Sequence, residues 1–285
     1  MSRRTPKGLA QHASVIYPTL MLGIFFIVPF AIMLAVSFFH RVQGGFYEPA
    51  FELDNYARFF TAFFGKTLGF SIFVAGFAAV ISVIVCFPFT YFLTRLGRRW
   101  QVVLLVYIMA VLSLSEVIIG FSWSTLLSRT AGVSNLFVWL GLMDAPTAWS
   151  PGLAALLFGL CYLGFPYTVL ILYPPLSRLD PQLPEASRML GASPLRTFFS
   201  VVVPTMRTTI IGALIMVFVF TLGAYLLPQV LGRPQHWTLS VLITDQAIFQ
   251  SNLPFAAAMA IFLMLVSLAL VAITMMLGSK EAPGR

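Results

Sequence analysis

The sequence predicts an all-α polytopic membrane protein with six transmembrane helices and both termini in the cytoplasm, and three observations carry that prediction. Of 285 residues, 59% are hydrophobic and 9% are charged, whereas an ordinary soluble domain carries about 25% charged residues to cover its surface. The apolar residues form long uncharged runs, not the ~10-residue alternating segments of a transmembrane β-barrel. A span needs about 20 apolar residues to cross ~30 Å of hydrocarbon, so the length accommodates six helices with their loops and excludes a large soluble domain.

The elements follow in order. A tail over 1–12 holds Arg3, Arg4 and Lys7, and a single transmembrane domain over 13–278 follows it. The first run, 13–39, exceeds the ~7–15-residue apolar core of a cleaved signal and reads as a retained span. A polar stretch with Glu48, Glu52 and Asp54 makes an outside loop before the second run, 67–94. The basic turn of Arg95, Arg98 and Arg99 leads into a third span, 102–127, interrupted by one carboxylate, Glu116. An amphipathic connector separates it from the fourth span, 152–173. A polar loop over 174–207 precedes the fifth span, 208–228, and a second outside loop precedes the sixth, 254–277. A short tail over 279–285 closes the chain.

The basic residues fix the orientation. Twelve Lys and Arg fall in the two tails, the 95–99 turn and the 174–207 loop, against five on the other side (Arg41, Arg58, Lys66, Arg129, Arg233). Positive charge is retained on the cytoplasmic side, so both termini and the 174–207 loop are placed there. The net charge of +8 therefore reads as an orientation signal facing lipid, not as a nucleic-acid surface. Cys86 and Cys161 lie within apolar runs and support neither a disulfide framework nor a thiolate metal site.

Enzyme chemistry finds no support. His12, His40 and His236 lack paired metal-ligand spacing, so no metal site is indicated. No Gly-x-Ser-x-Gly nucleophile elbow occurs. Gly65-Lys66-Thr67 looks like the end of a phosphate loop, but that pattern needs glycine at position 60, which is Phe60. No catalytic residue and no cofactor are therefore assigned to this chain.

The cytoplasmic loop carries the strongest pattern. Pro184 before Glu185 favours a helix start with an acid in its first turn, Gly191 permits a backbone reversal, and Pro194 starts a second helix. Ala186 and Ser187 keep one face thin for close docking, while Met189 and Leu190 offer apolar anchors. So short a helix standing off the membrane needs a partner surface to be stable. From Glu185 the chain reads EASRMLGASPLRTFFSVVVP. This resembles the EAA loop of ABC importer permeases, which runs EAA, three residues, G, nine residues, then I-x-L-P. Ser187 stands for the second alanine, and Val201 and Val203 stand for isoleucine and leucine before Pro204.

LGAYLLPQVLGRP at the end of span five and NLPFAAAMAIFLMLVSL in span six are similar to the spermidine/putrescine branch of these permeases. The resemblance implies the type I importer permease fold in the bacterial cytoplasmic (inner) membrane. It also implies three kinds of partner: two copies of a cytosolic ABC ATPase, a second and different permease chain, and an extracytoplasmic solute-binding protein. ATP and Mg would bind the ATPase, and Glu185, Ala186, Ser187, Arg188, Met189, Leu190, Gly191, Ala192, Pro194 and Pro204 would form its docking loop.

The translocation path is read from polar groups inside spans. Glu116 is the only carboxylate within an apolar helix, and such a group costs at least ~2.5 kcal/mol if it faces lipid at the bilayer centre. On one continuous helix, Ser113, Gly120 and Trp123 would share its face. Two readings stand side by side: Glu116 lines a path for a cation, with Trp123 adding cation–π attraction, or the span ends near Ser115 and Glu116 sits in interfacial water. Thr221, Tyr225 and Gln229 form a second candidate face at the end of span five. Some polyamine permeases carry a carboxylate near Gly223-Ala224-Tyr225, and this chain has none, so polyamines, opines, amino-acid-like compounds and other small solutes all stand. An intramembrane enzyme and a stand-alone secondary carrier are the alternative classes.

Overall fold

The structure, a computed structural model, describes residues 7–280 apart from 43, 44, 46 and 131. The tail expected at 279–285 falls almost wholly outside the described residues, as do residues 1–6 of the tail expected at 1–12.

The chain begins with α1 (Lys7–Val36), the single-turn α2 (Asp54–Ala57), the long α3 (Ala62–Leu93), α4 (Arg98–Leu112), α5 (Glu116–Leu126) and α6 (Val133–Trp139). Next come α7 (Leu153–Ser177), α8 (Gln182–Met189), α9 (Pro194–Thr197), a π-helical turn over Phe198–Val202, α10 (Val203–Thr205) and α11 (Arg207–Gly223). After these, α12 (Leu226–Leu231), α13 (Leu239–Thr244), a second π-helical turn over Asp245–Phe249 and α14 (Leu253–Lys280) complete the order. Among the described residues there is no strand, and one isolated antiparallel bridge pairs His40 with Glu48. Four helical stretches (Ile16–Val36, Ala62–Leu93, Leu153–Ser177 and Leu253–Met276) are long and apolar enough to cross a membrane. Two bent pairs raise the number to as many as six.

Both bent pairs correct the sequence reading. The third span is not one helix: α4 and α5 meet at 93°. The break has a local cause, since Ser115 adopts an extended backbone and its hydroxyl accepts from the Val117 N–H, capping α5 with Glu116 in the first turn. An N-cap serine followed by an acid satisfies and complements the exposed amides of a helix start. Ser113 consequently ends α4 and does not share a helix face with Glu116, Gly120 and Trp123. The fifth span is likewise preceded by a 73° bend between Pro194–Thr205 and α11. It stops at Gly223, where Ala224 turns extended, and does not continue to Pro228.

The chain divides into two compact units. The first comprises Met1–Thr61 and Ile243–Phe262. Within it, only 6% of the Ile16–Val36 stretch is buried, as expected of a helix whose solvent is hydrocarbon. Buried Ser37 meets the Tyr56 hydroxyl at 2.7 Å, and buried Asn55 donates to the Ser37 carbonyl at 3.1 Å. Phe59 packs on Phe262 with ring centroids 4.7 Å apart.

The second unit, Ala62–Leu242 and Leu263–Arg285, is organised on α3, α7 and α11, which pack on one another. The contact faces are built from small residues: Ala75, Ala78, Ala79 and Ser82 on α3 are buried, Gly164 on α7 lies opposite Ser82, and Gly159 on α7 faces Leu227 and Leu231 of α12. A Cβ at Gly164 would stand 2.9 Å from Ser82 Oγ and 3.3 Å from Val217 Cγ1. Small residues let helix backbones approach closely where lipid supplies no hydrophobic drive. One apolar cluster (Cys86, Phe87, Leu172, Leu176, Val202) holds α3 and α7 to the π-helical turn after α9, and a second (Val74, Ile119, Leu160, Leu227, Leu231) holds α5 and α12 to α3 and α7.

Candidate functional site

The loop after α7 is a two-helix unit. The Asp180 carboxylate accepts from the Gln182 N–H at 2.9 Å, so α8 begins at Gln182, three residues earlier than Glu185, and Glu185 lies in its first turn. Gly191 has φ +86° and open space where a Cβ would stand, so glycine is required there by backbone conformation alone. Ser193 then caps α9, its hydroxyl accepting from the Arg196 N–H at 3.3 Å, with Pro194 at the first position. Ser187 reaches across to buried Thr197, hydroxyl to hydroxyl, at 3.2 Å.

This architecture exposes what a partner would bind. Met189 and Leu190 are each 90% exposed, although they are apolar and lie at the end of an otherwise polar helix. Glu185, Ala186, Arg188, Pro194 and Pro204 are also exposed, and Ala192 is half-buried. Leu183, Ser187, Leu190, Ala192, Arg196 and Val201 line a groove along this unit.

The second region centres on the α4–α5 break. Glu116 is half-buried at the start of α5, its carboxyl group has the backbone amide of Leu227 as a neighbour, and its Oε1 is buried with no hydrogen-bond partner. Gly120 lies buried on the same helix, where a Cβ would stand 3.4 Å from Leu227 Cδ2, so its role is close packing of α5 on α12. The Trp123 ring packs edge-on against Phe158 and Tyr162, at centroid distances of 4.5 and 5.2 Å. Ser113 turns back onto its own helix, its hydroxyl donating to the Met109 carbonyl at 2.9 Å.

The second candidate face splits. Thr221 is buried on α11, where its hydroxyl bonds the Val217 carbonyl at 2.8 Å, so it is a packing residue. Tyr225, the N-cap of α12, and Gln229 within it stay one turn apart, with the Gln229 N–H donating to the Tyr225 carbonyl at 3.0 Å. Tyr225 is 41% exposed. Sequence reasoning missed Tyr162, Tyr167 and Phe220, which share a cavity with Glu116. Tyr162 and Tyr167, two of three tyrosines in that apolar span, are the signal that was available, since a tyrosine hydroxyl in apolar surroundings needs a polar neighbour.

Outside the spans two histidines are tuned in opposite directions. The hydrogen bond that His40 Nδ1 donates to the Glu52 carboxylate, followed by the Glu52 charge, holds the imidazole above its ordinary range. Burial, followed by the Arg233 charge, pushes His236 below it.

Apolar spans of which two are broken, a single half-buried carboxylate at one break, and a two-helix loop presenting bare apolar side chains together define a membrane transport subunit. Residues 86–280 match the family described as "Binding-protein-dependent transport system inner membrane component", and the chain belongs to this family. It is 27% identical over 262 residues to the spermidine/putrescine transport system permease protein PotB of Salmonella typhimurium, covering 91% of each chain. It is 28% identical over 245 residues to PotB of Escherichia coli, covering 86% of this chain and 89% of that one. The inner membrane ABC transporter permease protein YdcU of Escherichia coli is 28% identical over 217 residues, 71% of this chain and 68% of that one.

The fold matches a bacterial ABC transporter involved in the import of the acidic polysaccharide alginate, at 15% identity and TM-score 0.79 over 96% of each chain. It matches the alginate ABC transporter in complex with an alginate pentasaccharide-bound periplasmic protein at TM-score 0.73, over 93% of this chain and 92% of that one. The protein is thus an ABC importer permease subunit similar to PotB, a multi-pass protein of the bacterial inner membrane and not an enzyme.

Proposed function

We propose that this chain forms one half of the translocation path of an ATP-driven importer for a small cationic, polyamine- or opine-like solute delivered by an extracytoplasmic binding protein. The observation that carries the reading is the loop at 182–197: Met189 and Leu190, 90% exposed beside a glycine locked at φ +86°, form an apolar knob on a rigid mount. Such a knob gains from burial only in a partner's groove, and a fully buried side chain of this size contributes about 1.5–3 kcal/mol. The partner is a cytosolic ABC ATPase in two copies, which binds ATP and Mg, while this chain binds neither. A second, different permease chain completes the path. Both termini and the loop lie on the cytoplasmic side.

In this reading Glu185, Ala186, Ser187, Arg188, Met189, Leu190, Gly191 and Ala192 transmit ATPase closure, with Pro194 and Pro204 setting the return into the membrane. The Glu116 and Trp123 region lines the path, joined by Tyr225 and Gln229. The cationic reading draws support from the PotB relatives and from a lone carboxylate inside an apolar region, where a charge persists only with a partner.

The test is to assemble the complete importer carrying Gly191→Pro or Glu185→Lys. Both variants are expected to lose most transport and substrate-stimulated ATPase activity, while solute capture by the separate binding protein is unchanged. Full transport by normally assembled variants would reject the docking assignment.

A further inference from the structure

A cavity of about 150 Å³ lies among α4, α5, α7 and α11, and its wall includes Glu116, Tyr162, Leu163, Pro166, Tyr167 and Phe220. The Tyr167 and Phe220 rings pack at 4.2 Å between centroids and form one side. The Tyr162 ring is held edge-on by Trp123. Into this apolar and aromatic space comes a carboxyl group whose Oε1 is buried without a hydrogen-bond partner. A buried acceptor left without a donor is costly, and the two features of the wall favour the same complement. A cation bearing N–H groups satisfies the carboxylate, and aromatic faces attract it through their quadrupoles.

Leu163 and Pro166 supply apolar wall for the methylenes that carry an ammonium group, and a carboxylate-bearing end would meet Glu116 as a like charge.

We propose that this cavity is a binding subsite for the primary ammonium end of the transported solute, with Glu116 as its charge partner and Tyr167 and Phe220 as its ring wall. The inference rests on the reading of the chain as half of an importer path. It adds the chemical group bound and the two aromatic residues that select it.

The experiment uses the complete importer in liposomes, with labelled putrescine as the probe at subsaturating concentration and low salt. E116Q is expected to reduce uptake about tenfold by raising KM, because it keeps the shape and removes the charge. Y167L is expected to lose about threefold to tenfold and Y167F less than twofold, since the phenylalanine retains the ring face; a cation–π contact is worth ~0.5–2 kcal/mol. Y167L and F220L leave the carboxylate untouched and carry the test if E116Q fails to assemble. Putrescine uptake by the wild type that is indifferent to E116Q, or to Y167L and F220L, overturns the subsite alone. A wild-type importer that moves neutral or acidic solutes and no diamine overturns the cationic reading and the subsite with it.

Discussion

The hydroxyl oxygens of Ser187 and Thr197 lie 3.2 Å apart and tie α8 to α9 across the Gly191 turn. Thr197 is 1% exposed, so the bond joins an outward-facing helix to the interior of the loop. In the proposed docking role, α8 can pass on a push only if it does not hinge freely at its base, and this contact is the one that would resist that hinge.

Thr197→Val keeps the shape and removes the hydroxyl. It is expected to weaken the α8–α9 contact by about 0.5–1.5 kcal/mol, which appears as faster amide exchange over 185–192 and as ATP hydrolysis less tightly coupled to uptake. Thr197→Ser should retain wild-type exchange. Equal protection in the valine variant would show that packing alone fixes the loop.

The orientation can be tested separately. With Cys86 and Cys161 replaced by alanine, single cysteines at Glu48 and Gln182, both exposed, should react with a membrane-impermeant maleimide from opposite sides. On the twelve-to-five distribution of Lys and Arg, Gln182 is expected to react from the cytoplasmic side. Labelling of both from one side would contradict the six-span arrangement.

A pH effect is expected at the loop joining α1 and α2. Glu52 holds the folded-state pKa of His40 above its ordinary 6.5, so the pair contributes fully below that value and the contribution is lost as pH rises through the folded pKa. His40→Gln should therefore loosen residues 38–52, read by amide exchange, at about pH 5.5 and have no effect at about pH 8.5. The pair is solvent-exposed, so the global melting temperature should barely move. Loosening that is larger at the higher pH would reverse the assignment.

The features legible in the sequence were those governed by local chemistry or by bulk hydropathy. Gly191 and Pro194 announced a reversal and a helix start, and both occur where spacing placed them. The long helices follow from uncharged runs. What hydropathy does not register is a change of backbone direction within an apolar stretch: Val102 and Ile118 read alike whether α4 continues or breaks. The signal for the break was Ser115-Glu116, an N-cap and first-turn acid inside an apparent span. Likewise, Leu227, Leu231 and Leu239 lie in or beside segments read as loop, yet are fully buried. Polar neighbours such as Gln229 and Arg233 masked apolar residues that pack inward one turn apart.

The close approach of α3 and α7 gives the sharpest stability prediction. A Cβ at Gly164 would meet Ser82 Oγ at 2.9 Å, nearer than carbon and oxygen tolerate, and Val217 Cγ1 at 3.3 Å. Gly164→Ala should thus force a displacement costing about 1–3 kcal/mol by overpacking, seen as a lower melting temperature of the detergent-solubilised complex. The offending atom is a side-chain hydroxyl, not backbone, so its removal should relieve most of the strain. In Ser82→Ala the remaining Cβ lies 3.7 Å from the new methyl position, an ordinary contact. The double variant should therefore be more stable than Gly164→Ala alone, and a double-mutant cycle should return a coupling on the order of 1 kcal/mol. Additive effects of the two changes would instead locate the strain at Val217 on α11, and Val217→Ala would then be the substitution that restores stability.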